Sequence, residues 1–143
     1  MPQGSLTFTV PKSPAEAFAY IADMEKAPEW VPDLVRVKQL TPGEVAVGTK
    51  FSETVMMGNK EMEGSMEVTE YDPPHAYAHD GEGGPARFTA RFTFEPDGAG
   101  THVVHDYTVT FSGAMKLMGP VLGSWVKKNS EKAIENLQRR LSG

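Results

Sequence analysis

The sequence of 143 residues contains no cysteine, which excludes disulfide cross-links, thiolate nucleophiles and cysteine-held metals. No run approaches the roughly 18 apolar residues that a membrane-spanning helix needs, so integral membrane association is not expected. Positive charge is also scarce: 14 Lys and Arg against 19 Asp and Glu give a net charge of −5. The basic residues form no patch interleaved with aromatics. Lys127 and Lys128 are followed by Glu131, and Arg139 and Arg140 stand at the chain end. Nucleic acid, whose phosphates require a basic footprint, is therefore not an expected partner.

Several motifs are missing too. There is no phosphate-cradling glycine loop, no dinucleotide fingerprint and no serine elbow. GEGGP at 81–85 reads as a turn between two strands. The four histidines, His75, His79, His102 and His105, lack close ligand spacing. A site built on His79 and His105 would need Glu53 as well, so no metal and no cofactor are expected. The N-terminal MPQGSLTFTV has neither the basic start nor the apolar run of a secretory signal, which predicts a cytoplasmic protein.

What is present suits one domain spanning 1–143, long enough to bury a sizeable core. SLTFTV alternates as a first strand. Ser13-Pro14-Ala15-Glu16 then carries a cap, a first-turn proline and a capping-box glutamate, predicting a helix over the residues that follow. A second short helical piece, EKAPEW, leads to Trp30. Strands are predicted at 34–40, 49–57, 60–71, 75–80, 86–95 and 101–111. From Gly113 onward a long helix is expected, with Met118, Leu122, Trp125, Val126, Ile134, Leu137 and Leu141 as its apolar stripe. Pro120 is expected to kink or restart it.

Parity fixes the register of two hairpins, because a slip of one residue would turn every apolar side chain outward. Centring on Gly98-Ala99 pairs Phe94 with Val103, Phe92 with His105, Ala90 with Tyr107 and Phe88 with Val109. Arg91 then faces Asp106 and Glu95 faces His102 on the outer side. Centring on Gly58-Asn59 pairs Val55 with Met62, Glu53 with Gly64 and Phe51 with Met66.

The inner face so defined is apolar except for Glu53, His105 and Tyr107. A buried unsatisfied polar group costs about 1–3 kcal/mol, so these three either satisfy one another and the helix or line a space holding water or ligand. Glycine opposite Glu53 and alanine opposite Tyr107 remove volume beside two of them and favour a cavity. Met56, Met57, Met62, Met66, Met115 and Met118 gather around the same region, as loose core filler or as a malleable pocket wall. The candidate ligand-binding residues are Trp30, Phe51, Glu53, Val55, Met62, Met66, Phe88, Phe92, His105, Tyr107, Met118, Leu122 and Trp125. No residue is assigned as catalytic; should the protein be an enzyme, the candidates are Glu53, His105 and Tyr107.

Four stretches carry a resemblance: VPKSPAEAFAYIADMEKAPEW, VGTKF at 47–51, EYDPPHAY at 70–77 and the terminal ENLQRRL. With the order of elements, they resemble the START-like (SRPBCC) helix-grip superfamily, in particular the polyketide cyclase/dehydrase and lipid-transport group of small bacterial proteins. Asp23, Trp30 and Asp72-Pro73-Pro74 match the family's architectural positions, with Asp23 read as a cap for the second helical piece. The resemblance implies an α+β fold in which a curved seven-stranded antiparallel sheet wraps around a long C-terminal helix over a hydrophobic tunnel. It implies binding of a hydrophobic or aromatic small molecule, lipid- or polyketide-like. The alternative is a cyclase/dehydratase with an inner carboxylate or histidine as general base. A monomer or a homodimer is compatible with either.

Overall fold

Ser13 caps the first helix in both directions: its Oγ accepts from the Glu16 N–H at 3.2 Å and donates to Glu16 Oε1 at 3.1 Å. In the computed structural model this capping box opens α1 (Pro14–Ile21), as the sequence predicts. The structure describes residues 3–84, 86–113, 117 and 119–142, without the side chains of Met57 and Pro120. After α1 the chain makes a short 3-10 helix, Met24–Glu29. Asp23 precedes it without a side-chain capping bond and lies instead 3.9 Å from Lys26, both groups being solvated, so the expected cap is not made.

Seven strands follow the alternation of the sequence: β1 (Gln3–Val10), β2 (Leu34–Gln39), β3 (Lys50–Met57), β4 (Lys60–Asp72), β5 (Ala76–Gly83), β6 (Ala86–Asp97) and β7 (Gly100–Phe111). They form one antiparallel sheet in the order β1-β7-β6-β5-β4-β3-β2. Both hairpin registers are those that parity demands, including Phe92 with His105, Ala90 with Tyr107 and Glu53 with Gly64. Gly58 and Gly98 hold the tips in the left-handed region, where a glycine carries no side-chain penalty. The GEGGP segment is less of a turn than expected. β5 continues through Gly83, pairing with Ala86, because extended glycines complete the ladder as well as any residue.

On the outer face Arg91 stands opposite Asp106, but its guanidinium pairs with Glu70, Nε to Oε1 at 2.7 Å. The longer Glu70 side chain reaches across β5 to meet it.

The last helix, α2, runs from Gly119 to Leu141; of the stretch expected to precede it in the same helix, residues 114–116 and 118 lie outside the described ones. Pro120 falls in its first turn, where the missing N–H has no helical partner to lose. Val126, Ala133, Leu137 and Leu141 are buried against the sheet and α1. Asn136 donates to the Trp30 carbonyl oxygen and Gln138 to that of Thr9, each at 3.1 Å, tying α2 to the 3-10 segment and to the edge strand. The arrangement is the helix-grip, START-like α+β fold. No described helix is long and apolar enough to cross a membrane.

The interior is filled unevenly. At one end Phe18 packs edge-on against Tyr71, Tyr77 and Phe94, with ring centroids 5.3 to 6.5 Å apart. Such clusters bury large apolar areas in favourable ring geometry. Toward the other end the sheet and α2 diverge, and space remains between them.

Candidate functional site

That space is a cavity of about 290 Å³. Its floor consists of rows of cross-strand neighbours on the inner face. One row runs His79–Ala90–Tyr107 across β5, β6 and β7, and the next runs Tyr77–Phe92–His105. A third runs Gly81–Phe88–Val109. The last starts at Glu53 on β3 and passes through Gly64, Gly83 and Ala86 to Phe111. Small residues therefore stand where large ones would close the space: Ala90 between an imidazole and a phenol, and three consecutive short residues beside Glu53. The roof comes from Met24, Ala27 and Trp30 in and after the 3-10 helix, and from Trp125, Val126, Asn129, Ser130 and Ala133 of α2.

Of the residues expected from sequence, Trp30, Glu53, Val55, Met62, Met66, Phe88, Phe92, His105, Tyr107 and Trp125 line this cavity. Phe51 does not. It is buried in the core with 1% exposure, and its cross-strand neighbour Met66 takes the cavity-facing position. Leu122 does not either: it has the helical phase of Val126 and Asn129 but lies a turn beyond the cavity's edge. Met118 lies outside the described residues, as does Met115. Met56 is half-buried and off the lining, and the Met57 side chain lies outside the described ones, so among described side chains the methionine wall comprises Met24, Met62 and Met66.

The polar groups of the wall are few and poorly partnered. Glu53 is 6% exposed, and no hydrogen bond or ion pair joins it to any described residue; desolvation alone pushes its carboxyl up to about 7. His79 is buried, and its Nδ1 has no hydrogen-bond partner. Burial, with His105 nearby, holds its pKa down to about 4. His105 has the same value, about 4, by burial and against the opposing influence of Asp106. Its Nδ1 is likewise buried and unpartnered. Both imidazoles are therefore neutral at pH 7. The indole Nε1 of Trp30 is a further orphan, a donor without an acceptor. The Tyr107 ring lies over Gly4 of β1, where a Cβ would sit only 2.6 Å from the hydroxyl.

Orphaned polar atoms of this kind are uncommon in finished cores; three of the four among the described residues belong to cavity-lining residues, the fourth being the Tyr77 hydroxyl. Chemically the wall offers an acceptor or a neutral carboxyl at Glu53 and imidazole nitrogens at His79 and His105. Trp30 adds a donor, Tyr107, Asn129 and Ser130 bring further polar groups, and the rest is largely apolar. Among the described residues no group of three or more His, Asp and Glu could hold a metal ion.

Among the wall residues that the sequence reading did not assign are His79, Met24 and Ala27 of the roof, and Asn129, Ser130 and Ala133 of α2. The signal for His79 was its two-residue spacing from Tyr77. It was masked by Ala76 and Ala78, which are as buried as their neighbours and erase the contrast between faces.

Comparison with known proteins agrees with this architecture. A family model described as polyketide cyclase/dehydrase and lipid transport matches residues 1–142. No curated protein matches the sequence. Among solved structures, a START superfamily protein from Mycobacterium smegmatis superposes with a TM-score of 0.83 at 18% identity, over 97% of this chain and 96% of that one. A protein from Thermus thermophilus gives 0.80 at 18% identity, over 98% and 97%. The Zhui aromatase/cyclase from Streptomyces sp. R1128 gives 0.76 at 14% identity, over 97% and 92%. At these identities the likeness speaks for the fold. The family match covers nearly the whole chain, and the protein belongs to the polyketide cyclase/dehydrase and lipid transport family, with the START-like fold.

Proposed function

We propose that this member of the family binds a hydrophobic or aromatic small molecule, lipid- or polyketide-like, in the cavity between the sheet and α2. The observation that carries the reading is an apolar cavity of about 290 Å³ lined by Trp30, His79 and His105, residues whose buried ring nitrogens include one each without a hydrogen-bond partner. A ligand's apolar body would lie along Met62, Met66, Phe88 and Phe92, and its polar end would meet Glu53, His105 or Tyr107. Native mass spectrometry of freshly purified protein, with organic extraction, tests the reading. An excess mass that is lost on denaturation, and absent from a His105→Leu/Tyr107→Phe variant, supports carriage. A clean apo mass combined with no uptake of added neutral apolar dye overturns it.

A second reading, a cyclase/dehydratase, is favoured by one observation: a carboxyl held at about 7 by burial is suited to proton transfer at neutral pH. Glu53 or His105 would act as general base at an acidic carbon, with Tyr107 donating to the enolate oxygen. Glu53→Gln should then lower turnover of a poly-carbonyl substrate by about 10²–10⁴-fold. Turnover that survives both Glu53→Gln and His105→Leu would sink this assignment. In either case the proposal is for a single-domain cytoplasmic protein, monomeric or homodimeric, with no nucleic-acid partner. Sedimentation velocity decides the oligomeric state.

A further inference from the structure

The charge of the cavity wall says something about the ligand that its apolar lining does not. Among the described lining residues there is no lysine and no arginine. The ionisable groups that face the space are Glu53, Asp33 at its exposed edge, Tyr107, and the two histidines, which burial keeps uncharged. Glu53 is the one carboxyl sunk into the wall. It lies opposite Gly64, with Gly83 beyond, where no side chain competes for its oxygens. No described donor meets it.

A ligand carrying a carboxylate or phosphate would sink its charge beside a carboxyl that burial already discourages from ionising, with no cation on the wall to offset it. A ligand carrying a protonated nitrogen would supply what Glu53 lacks, a charge-assisted hydrogen bond in a desolvated setting. We propose that the cavity's ligand is a hydrophobic amine, its ammonium group paired with Glu53 and its apolar body against Phe88, Phe92 and Met66. The inference rests on the ligand-binding reading above. The wall's other groups fit it. Neutral imidazoles at His79 and His105 accept or donate without repelling a cation, and aromatic faces attract one. Because Glu53 holds a proton up to about pH 7, pairing with an ammonium would draw its pKa down and release that proton.

Three probes on one skeleton separate charge from apolar fit: 2-(aminomethyl)naphthalene, 2-naphthalenemethanol and 2-naphthoic acid. Binding is followed at pH 7 by isothermal calorimetry in two buffers of different ionisation enthalpy and by quenching of tryptophan fluorescence. The amine is expected to bind roughly 10- to 100-fold tighter than the alcohol, with release of a fractional proton, and the acid weakest of the three. In Glu53→Gln the amine should lose its advantage over the alcohol, and an unchanged far-ultraviolet circular dichroism spectrum shows that the variant is folded.

An acid that binds as tightly as the amine overturns the inference and leaves the ligand-binding reading standing. So does an amine unaffected by Glu53→Gln. Ala90→Leu, which takes up part of the cavity, should weaken all three probes; amine binding unaffected there is at the surface and overturns the inference. If none of the three probes binds, both the inference and the reading beneath it fall.

Discussion

His105 and Phe92 stack face to face across β7 and β6, their ring centroids 4.2 Å apart and their planes within 5° of parallel. The contact shows how an imidazole is packed on the inner face: one side of its ring stacks as an aromatic while Nδ1 stays buried without a partner. Packing and polarity are thus separable at this position. His105→Phe should keep the stack and remove the orphaned nitrogen, leaving the urea midpoint at pH 7 unchanged or raised. His105→Ala should cost roughly 2–4 kcal/mol. Equal losses in both variants would show that the nitrogen, and not the ring, holds the site together.

Glu53 and the histidines make stability depend on pH in opposite directions. Glu53 titrates near 7 when folded against an ordinary 4.5, so the folded state retains a proton the unfolded chain has released. Its contribution is present below about 4.5 and is lost as pH rises through about 7. His79 and His105 titrate near 4 against 6.5, so their contribution is present above about 6.5 and is lost as pH falls through about 4. Glu53→Gln should therefore stabilise the protein at pH 8, by up to about 3 kcal/mol, and do little at pH 4. Unfolding curves whose difference between variant and parent is the same at both pH values would refute the burial assigned to Glu53.

Ala90 separates His79 from Tyr107 in one cross-strand row and leaves the space between them open. Ala90→Leu should fill that space at a cost of about 1–3 kcal/mol from overpacking. The enhancement of Nile red fluorescence on mixing with the protein should disappear, with the far-ultraviolet circular dichroism retained. Undiminished enhancement would place the dye elsewhere.

Gly81 lies beneath the Phe88 ring, and a Cβ there would run into the ring's far edge. Gly81→Ala should push Phe88 into the cavity or off the sheet, destabilising by roughly 1–3 kcal/mol. It should reduce dye uptake as well. Full uptake at wild-type stability would mean that the ring has another place to go.

The sheet was legible in the sequence wherever a hairpin tip could be centred and apolar residues alternated on both sides of it. Phe92 against His105 and Glu53 against Gly64 follow from that parity alone. The count fails between β4 and β5, where the register shifts between Val68 and Glu70. One extra residue reverses which face the following side chains take, and Tyr71 then pairs with Tyr77. His79 pairs with Val68 ahead of that shift, so its inward direction follows β4's parity only once β5 is known to pair there. The roof was harder still. Met24 and Ala27 sit in a 3-10 helix too short to display a period, and they point at the cavity only because Trp30 and α2 are docked beside them. Leu122 shows the converse, a residue of the right helical phase at the wrong height.

The row Glu53–Gly64–Gly83–Ala86 has a consequence for how the protein's selectivity could change over generations. Its open volume comes from side chains that are missing, so capacity there is altered by adding atoms, without disturbing any ladder hydrogen bond. The two glycines differ in this respect. A methyl group at Gly83 would make only an ordinary contact, 3.7 Å from the Gly64 Cα, whereas at Gly64 it would stand 2.6 Å from the Glu82 carbonyl oxygen. Drift in ligand size is therefore open through Gly83 and barred through Gly64. The space directly over the carboxyl stays fixed while the space beyond it is free to narrow.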